Sequence, residues 1–264
     1  MPELPEVEHG ARILREAAVG RTIAKVQVLH PSYARTLPPP DADRLIGRVI
    51  TDVSRRGKHQ IATLDDGSAL EIHFRMTGEW QIGRTADAPV QYARLTVDLD
   101  DDTRLVLADS RALGTARRHD AGALTLPPLG PEPLTDAFTP SALAAALARR
   151  RGPIKPALLD QRVVAGIGNI YAGEALWLAR ISPLAPASSL SLVQLTRLVR
   201  AIRDVLRRAP AMRYTARRAG SAPWRVYDRE GQRCRRCGKR IRRLVQGGRS
   251  TYFCPTCQGG KRTR

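Results

Sequence analysis

The chain has 264 residues, 42% of them hydrophobic, and carries 44 Lys and Arg against 25 Asp and Glu, a formal net charge of +19. That apolar content excludes a disordered chain, no apolar run approaches the ~20 residues of a membrane-spanning helix, and the charged N-terminus lacks the apolar core of a secretory signal. A cytoplasmic protein of one large or two smaller domains is expected, with a polyanion as partner, because so lopsided a charge repels itself unless something offsets it.

The chain opens Met1-Pro2-Glu3-Leu4-Pro5-Glu6-Val7-Glu8. A small second residue lets the initiator methionine be removed, which would leave a secondary amine flanked by acids. An α-amino group titrates at roughly 8, so part of it is neutral and nucleophilic near neutrality, and such an amine can form an iminium as lysine does in Schiff-base enzymes. On these residues alone the simpler account is structural. Proline suits the first helical turn, and Val7, Ile13, Leu14 and Ala17 or Ala18 form an apolar stripe that ends at Gly20.

Residues 21–109 read as β structure, with strands at 22–29, 48–54, 58–64, 68–76, 93–99 and 103–108 separated by turns such as Asp65-Asp66-Gly67. Short β-branched runs at this spacing predict a sandwich or barrel. The proline-rich stretch 35–43 is expected to be a surface loop. Five prolines break any period over 127–140, which predicts a linker between an N-terminal domain at 1–126 and a helical one at 141–222.

Helical patterns follow at 141–150, 154–160, 170–179 and 189–208. Between the second and third, Gln161 to Asn169 is apolar and too glycine-rich for continuous helix. A helix, turn, helix of this kind presents backbone N–H groups and the Asn169 side chain where phosphate binds readily, with Lys155 nearby. Tight packing of an αα-hairpin would need the same residues.

All four cysteines lie in the last stretch, 223–264: Cys234 and Cys237, then sixteen residues, then Cys254 and Cys257. Two CxxC pairs at ribbon spacing predict one closed tetrahedral Zn2+ site, structural rather than catalytic. Strands at 240–246 and 249–253 joined by Gly247-Gly248 would form a hairpin. Arg249 would stand at its tip, aimed at a nucleic acid.

Four separated stretches, in order, resemble the Fpg/Nei family of base-excision DNA glycosylases: MPELPEVE at 1–8, RRGK at 55–58, DQRVVAGIGNIYAGEALW at 160–177, and the two CxxC pairs with GRSTYF at 248–253. The resemblance implies an α+β fold in which an N-terminal helix and β-sandwich precede a helix-two-turns-helix domain and a zinc finger. It implies a bifunctional glycosylase and AP lyase acting as a monomer on double-stranded DNA with damaged bases or abasic sites, in a bacterial cytoplasm. Pro2 would be the nucleophile at C1′, Glu3 the acid that opens the sugar, Glu6 a buried supporting acid, and Lys58 the lysine beside the lesion phosphate. Met76 would fill the vacated stack and Arg111 would pair with the orphaned base. Lys155, Asn169 and Arg249 would contact DNA.

The chain also departs from the family pattern. Ala112 and Leu113 stand where an arginine and an aromatic are usual, Gln91, Tyr92 and Arg94 occupy a region that usually holds a histidine, and the segment from Ala209 to Tyr227 is short. These leave an oxidised pyrimidine, a ring-opened purine or a bulkier alkylated base open as the lesion in place of 8-oxoguanine. Lyase activity alone and a non-catalytic damaged-DNA-binding zinc protein are the rival functions. Pro2, Glu3 and Lys58 together argue against the second, since a binding module has no use for a free proline amine.

Overall fold

The computed structural model describes residues 1–209 and 224–259, and these fall into two compact units, one of residues 1–127 and one of the rest. Among the described residues no helix is long and apolar enough to cross a membrane.

The first unit starts with helix α1 (Leu4–Ala18), whose apolar stripe of Leu4, Val7, Ala11, Leu14 and Ala18 is buried. It packs against two antiparallel four-stranded sheets. One runs β2 (Ile50–Arg56), β3 (His59–Leu64), β4 (Ala69–His73), β8 (Thr115–His119); the other runs β1 (Ile23–Val28), β6 (Ala93–Leu99), β7 (Thr103–Ala108), β5 (Glu79–Arg84). Alternate residues of both sheets, among them Val53, Ala62, Ile72, Leu95, Val97 and Leu107, meet α1 in one core. Burying each such side chain contributes about 1.5–3 kcal/mol, so the sandwich with its N-terminal helix forms as the sequence implies.

Two expectations need correction. The stretch 35–43 is not merely a surface loop: Pro31–Ala34 and Pro39–Asp43 form the short helices α2 and α3, each started by prolines in its first turn, and they bury Tyr33, Leu37 and Ala42 in the core. Strands β5 and β8 went unread. TARRH at 115–119 lacks a clean apolar alternation, and it becomes a strand because the far side of β4 needs a hydrogen-bonding partner.

The second unit contains helices α4 (Pro140–Leu147), α5 (Ile154–Leu159), α6 (Asn169–Ala179) and α7 (Leu192–Arg207), then the hairpin of β9 (Arg242–Gln246) and β10 (Arg249–Phe253). Thr139 caps α4, and a reciprocal Ser191–Gln194 capping box starts α7. Glu174 on α6, with 1% of its surface exposed, accepts the backbone N–H groups of Arg225, Val226 and Tyr227 at 2.8–3.0 Å, and so fixes the approach to the cysteine-bearing segment. Arg236 stacks on the Trp177 ring, 3.9 Å from its centroid, and donates to the Trp177 carbonyl, holding that segment to the end of α6. Most of the segment from Ala209 to Tyr227, including 212–220, lies outside the described residues.

Candidate active site and nucleic-acid interface

Pro2, Glu3 and Glu6 are brought together at the start of α1, all three buried. Glu3 is the N-cap. Its carboxylate accepts the Glu6 N–H, while Glu6 Oε2 accepts the Glu3 N–H at 2.8 Å, a capping box built from two acids at the positive end of the helix. Further along, a Cβ on Gly10 would lie 2.8 Å from the Phe74 ring and 2.9 Å from the Gln60 amide, so glycine is what lets α1 lie against the sheets. Pro2, Glu6, His9 and Gly10 line a narrow cleft against Phe74 and Glu79.

RRGK is the connection between β2 and β3, where Arg56 faces His59 and Gly57 takes a φ of +59° that favours glycine. Arg55 ties the turn to α1, donating to Glu8 Oε2 at 2.7 Å and to the Gly57 carbonyl at 2.9 Å. Arg15 adds a second tie, to the Val53 carbonyl at 2.7 Å. Lys58 therefore sits on a turn fixed to the helix that carries Pro2, and only 8% of its surface is exposed.

Beside it lies a buried ionic cluster that sequence reasoning missed. The two oxygens of Glu71 accept from His59 Nδ1 at 2.7 Å and from His119 Nε2 at 2.9 Å, and the His59 ring meets His73 edge-on with centroids 4.7 Å apart. Burial by itself would raise Glu71, but the hydrogen bonds from both histidines outweigh it and hold the carboxyl at about 2. Burial, reinforced by the charges of His59, Arg75 and Lys58, lowers His73 to about 3. His73 is thus neutral near pH 7, and because its Nδ1 accepts the Arg75 N–H at 3.0 Å, its proton lies on Nε2.

Met76 is half-buried on the turn after β4, and Arg111 is exposed on the turn between β7 and β8. Leu113, two residues on, is 47% exposed, far from the core packing that an aliphatic residue would ordinarily seek.

In the second unit the glycine-rich stretch closes on Gln161, which donates to the Leu159 and Ile167 carbonyls and accepts the Gly166 N–H. Gly168 is the N-cap of α6 and Asn169 its first helical residue. The Asn169 side chain is engaged elsewhere, its Nδ2 donating to the Ser250 carbonyl at 3.1 Å. Lys155 is likewise turned inward, with 1% of its surface exposed. Its ammonium donates to Asn169 Oδ1 at 2.6 Å, Thr251 Oγ1 at 2.7 Å and the Ser250 carbonyl at 3.1 Å. This geometry replaces a reach toward phosphate with an internal clamp that joins α5, α6 and β10.

Gly247 and Gly248, with φ of +53° and +72°, make the two-residue turn that leaves Arg249 exposed at the start of β10. The four cysteine sulfurs all lie within 4.8 Å of one another, with Cys234–Cys257 at 3.9 Å and Cys237–Cys254 at 3.4 Å. Sulfurs about 2.3 Å from a tetrahedral Zn2+ stand near these separations. The site fits one structural zinc, and four thiolates leave no position on it for chemistry.

A model of the formamidopyrimidine-DNA glycosylase N-terminal domain matches residues 1–116, one of the H2TH domain of that enzyme matches 129–219, and one of the zinc finger found in FPG and IleRS matches 231–259. The chain is 45% identical to a formamidopyrimidine-DNA glycosylase of Chloroflexus aggregans, over 98% of each chain. It is 42% identical to one of Sphingopyxis alaskensis, over 98% of this chain and all of that one. Among solved structures it is similar to MutM in complex with DNA containing carbocyclic 8-oxo-G, with a TM-score of 0.89 and 33% identity over 97% of this chain and 99% of that one. It is also similar to Lactococcus lactis Fpg bound non-covalently to DNA containing an AP site, with a TM-score of 0.87 and 32% identity over the same shares.

Proposed function

The chain belongs to the formamidopyrimidine-DNA glycosylase family, and from that premise we propose that this base-excision glycosylase is bifunctional, removing ring-opened or oxidised bases from duplex DNA and then cutting the strand through an imine on Pro2. The observation that carries the reading is the buried Pro2–Glu3–Glu6 terminus, beside which Arg55 ties the Lys58 turn to the same helix. A capping box could be built from Ser and Gln at no risk; two buried acids next to a proline nitrogen suit chemistry better.

Once Met1 is removed, the Pro2 amine attacks C1′ of a nucleotide flipped from the stack, since C1′ is otherwise inaccessible. The C1′–N bond breaks with its electron pair going to the departing base. The Pro2 nitrogen gives up its N–H proton to the Glu3 carboxylate, Glu3 passes it to the ring oxygen as the C1′–O bond breaks, the sugar opens, and an iminium joins Pro2 to C1′. The iminium makes the C2′ proton acidic; its loss expels the 3′ phosphate, and a second elimination expels the 5′ phosphate. Lys58 holds the phosphate beside the lesion and assists the elimination, while Met76, Arg111 and Leu113 fill the stack that the base has left. Arg249 and the second N–H of the Asn169 amide hold backbone phosphates. Lys155 acts indirectly, by fixing Asn169 and β10. Zinc supplies folding energy to the hairpin that presents Arg249.

Borohydride trapping tests this. The processed chain should form a covalent adduct through Pro2 on duplexes carrying a formamidopyrimidine, an oxidised base or an abasic site. Trapping on the abasic duplex alone would reduce the activity to a lyase, and binding without any adduct would remove the covalent mechanism.

A further inference from the structure

Asp109 has none of its surface exposed, and its carboxylate accepts four hydrogen bonds. Oδ2 accepts the Tyr33 hydroxyl at 3.1 Å and the Gly114 N–H at 2.8 Å; Oδ1 accepts the Arg111 N–H at 3.2 Å and, in a short hydrogen bond, the Thr77 hydroxyl. Thr77 follows Met76, and the other two backbone donors bracket Ala112 and Leu113. One side chain therefore joins the turn that carries Met76 to the turn that carries Arg111 and Leu113. The Thr77 oxygen also accepts from Arg111 N–H at 3.2 Å, closing the link.

The second turn is braced from behind as well. Ser32 donates to the Ala112 carbonyl at 2.8 Å, and Arg94 donates to the Asp109 carbonyl at 2.7 Å. Ala112 is held at a φ of +50°, a left-handed conformation that a non-glycine residue keeps only when its surroundings enforce it. The Tyr33 phenol is raised in pKa by burial and then by the charge of Asp109, so it stays a donor. Together these bonds hold the turn that carries Arg111 and Leu113.

We propose that Asp109 is a positioning residue that locks the Met76 turn and the Arg111–Leu113 turn into one rigid wedge, so that the three side chains enter the duplex as a unit when a base is flipped. This rests on the reading of those three residues given above. The wedge is needed when a stacked base must be displaced and replaced; it matters less at an abasic site, where the hole already exists.

The test compares Asp109→Asn, Thr77→Val and Tyr33→Phe with the unaltered full-length enzyme on a formamidopyrimidine duplex and on an abasic duplex, with 2-aminopurine opposite the lesion to report insertion. Asn cannot accept four donors, and Val and Phe each delete one donor while keeping the side-chain shape. Base excision should fall in kcat/KM by on the order of 10- to 100-fold for Asp109→Asn, and by less for the other two. The 2-aminopurine signal should be blunted and abasic cleavage retained. Thr77→Ser, which keeps the hydroxyl, should restore excision. Unchanged base excision in Thr77→Val and Tyr33→Phe, or equal loss on both duplexes, would overturn the inference. Met76→Ala and Arg111→Ala separate the two levels: if they leave base excision intact the wedge reading itself fails, and if only they lower it Asp109 has no part in it.

Discussion

The ammonium of Lys155 lies 2.6 Å from Oδ1 of Asn169, buried with 1% of the lysine surface exposed and two further hydrogen bonds to Ser250 and Thr251. Its charge holds three segments of chain together.

Lys155→Met should therefore behave unlike a lost DNA contact. Removing the donor leaves buried oxygens unsatisfied, at a cost of about 2–3 kcal/mol. DNA affinity should fall because Asn169 and β10 loosen, while the slope of log K against log salt stays unchanged. Arg249→Ala should do the reverse, sparing stability and lowering that slope by about one. Binding titrations across a salt series distinguish them; a shallower slope for Lys155→Met would place its charge on the DNA after all.

The proposed mechanism gives Glu3 a second duty beside its helix cap, and a single substitution separates the two. Glu3→Gln keeps a carbonyl oxygen to accept the Glu6 N–H, so the capping box survives and stability should drop by less than about 1 kcal/mol. The amide has no proton to give the sugar oxygen, so excision should fall by roughly the 10²–10⁴-fold that general acids contribute. Single-turnover excision beside a melting curve reads both. A variant that melted much earlier and lost activity in proportion would reduce Glu3 to a helix cap.

What the sequence made legible was chemistry held within short spacings. The Pro2–Glu3–Glu6 terminus, the RRGK turn and the two CxxC pairs are each written in a short stretch of sequence. Asp109, Glu71 and Glu174 were silent because their partners lie far along the chain: Tyr33 is 76 residues from Asp109, His119 is 48 from Glu71, and Val226 is 52 from Glu174. An acid on a strand or helix looks the same before folding whether it will face water or four donors. The internal bonds of Lys155 were silent for the same reason, since its Thr251 partner is 96 residues away.

Zinc removal should act on the hairpin first. Four-thiolate binding is folding energy for the segment it closes, and here that segment is tied to α6 by the Arg236–Trp177 stack. Chelation or Cys254→Ser should unfold the hairpin, displace Arg249 and weaken DNA binding, while the first unit keeps its own core. Far-UV and near-UV spectra taken with binding curves before and after chelation check this. Unchanged binding in metal-free protein would mean that the hairpin contributes nothing to DNA affinity.

Acid should destabilise the first unit in two overlapping steps. His73 is lowered to about 3 from an ordinary 6.5, so below pH 6.5 the unfolded chain takes up a proton that the folded chain refuses. Stability then rises with pH, because the unfolded state binds more protons. Glu71 is lowered from 4.5 to about 2, so the stability its ionised form contributes is complete above the ordinary carboxyl range and is lost as pH falls toward 2. Both signs agree: urea midpoints of the full chain should fall steadily from pH 6.5 toward pH 3, with the steeper limb below 4.5 where both groups act. His73→Gln should flatten the upper limb and make the lower one shallower, leaving there only the part due to Glu71. Glu71→Gln should lower stability at pH 7, because a neutral amide satisfies His59 and His119 less well than a carboxylate, and should flatten the lower limb. Midpoints that did not move between pH 6.5 and pH 4.5 would mean that His73 takes up its proton as readily folded as unfolded, and that its burial beside Lys58 and His59 is not felt.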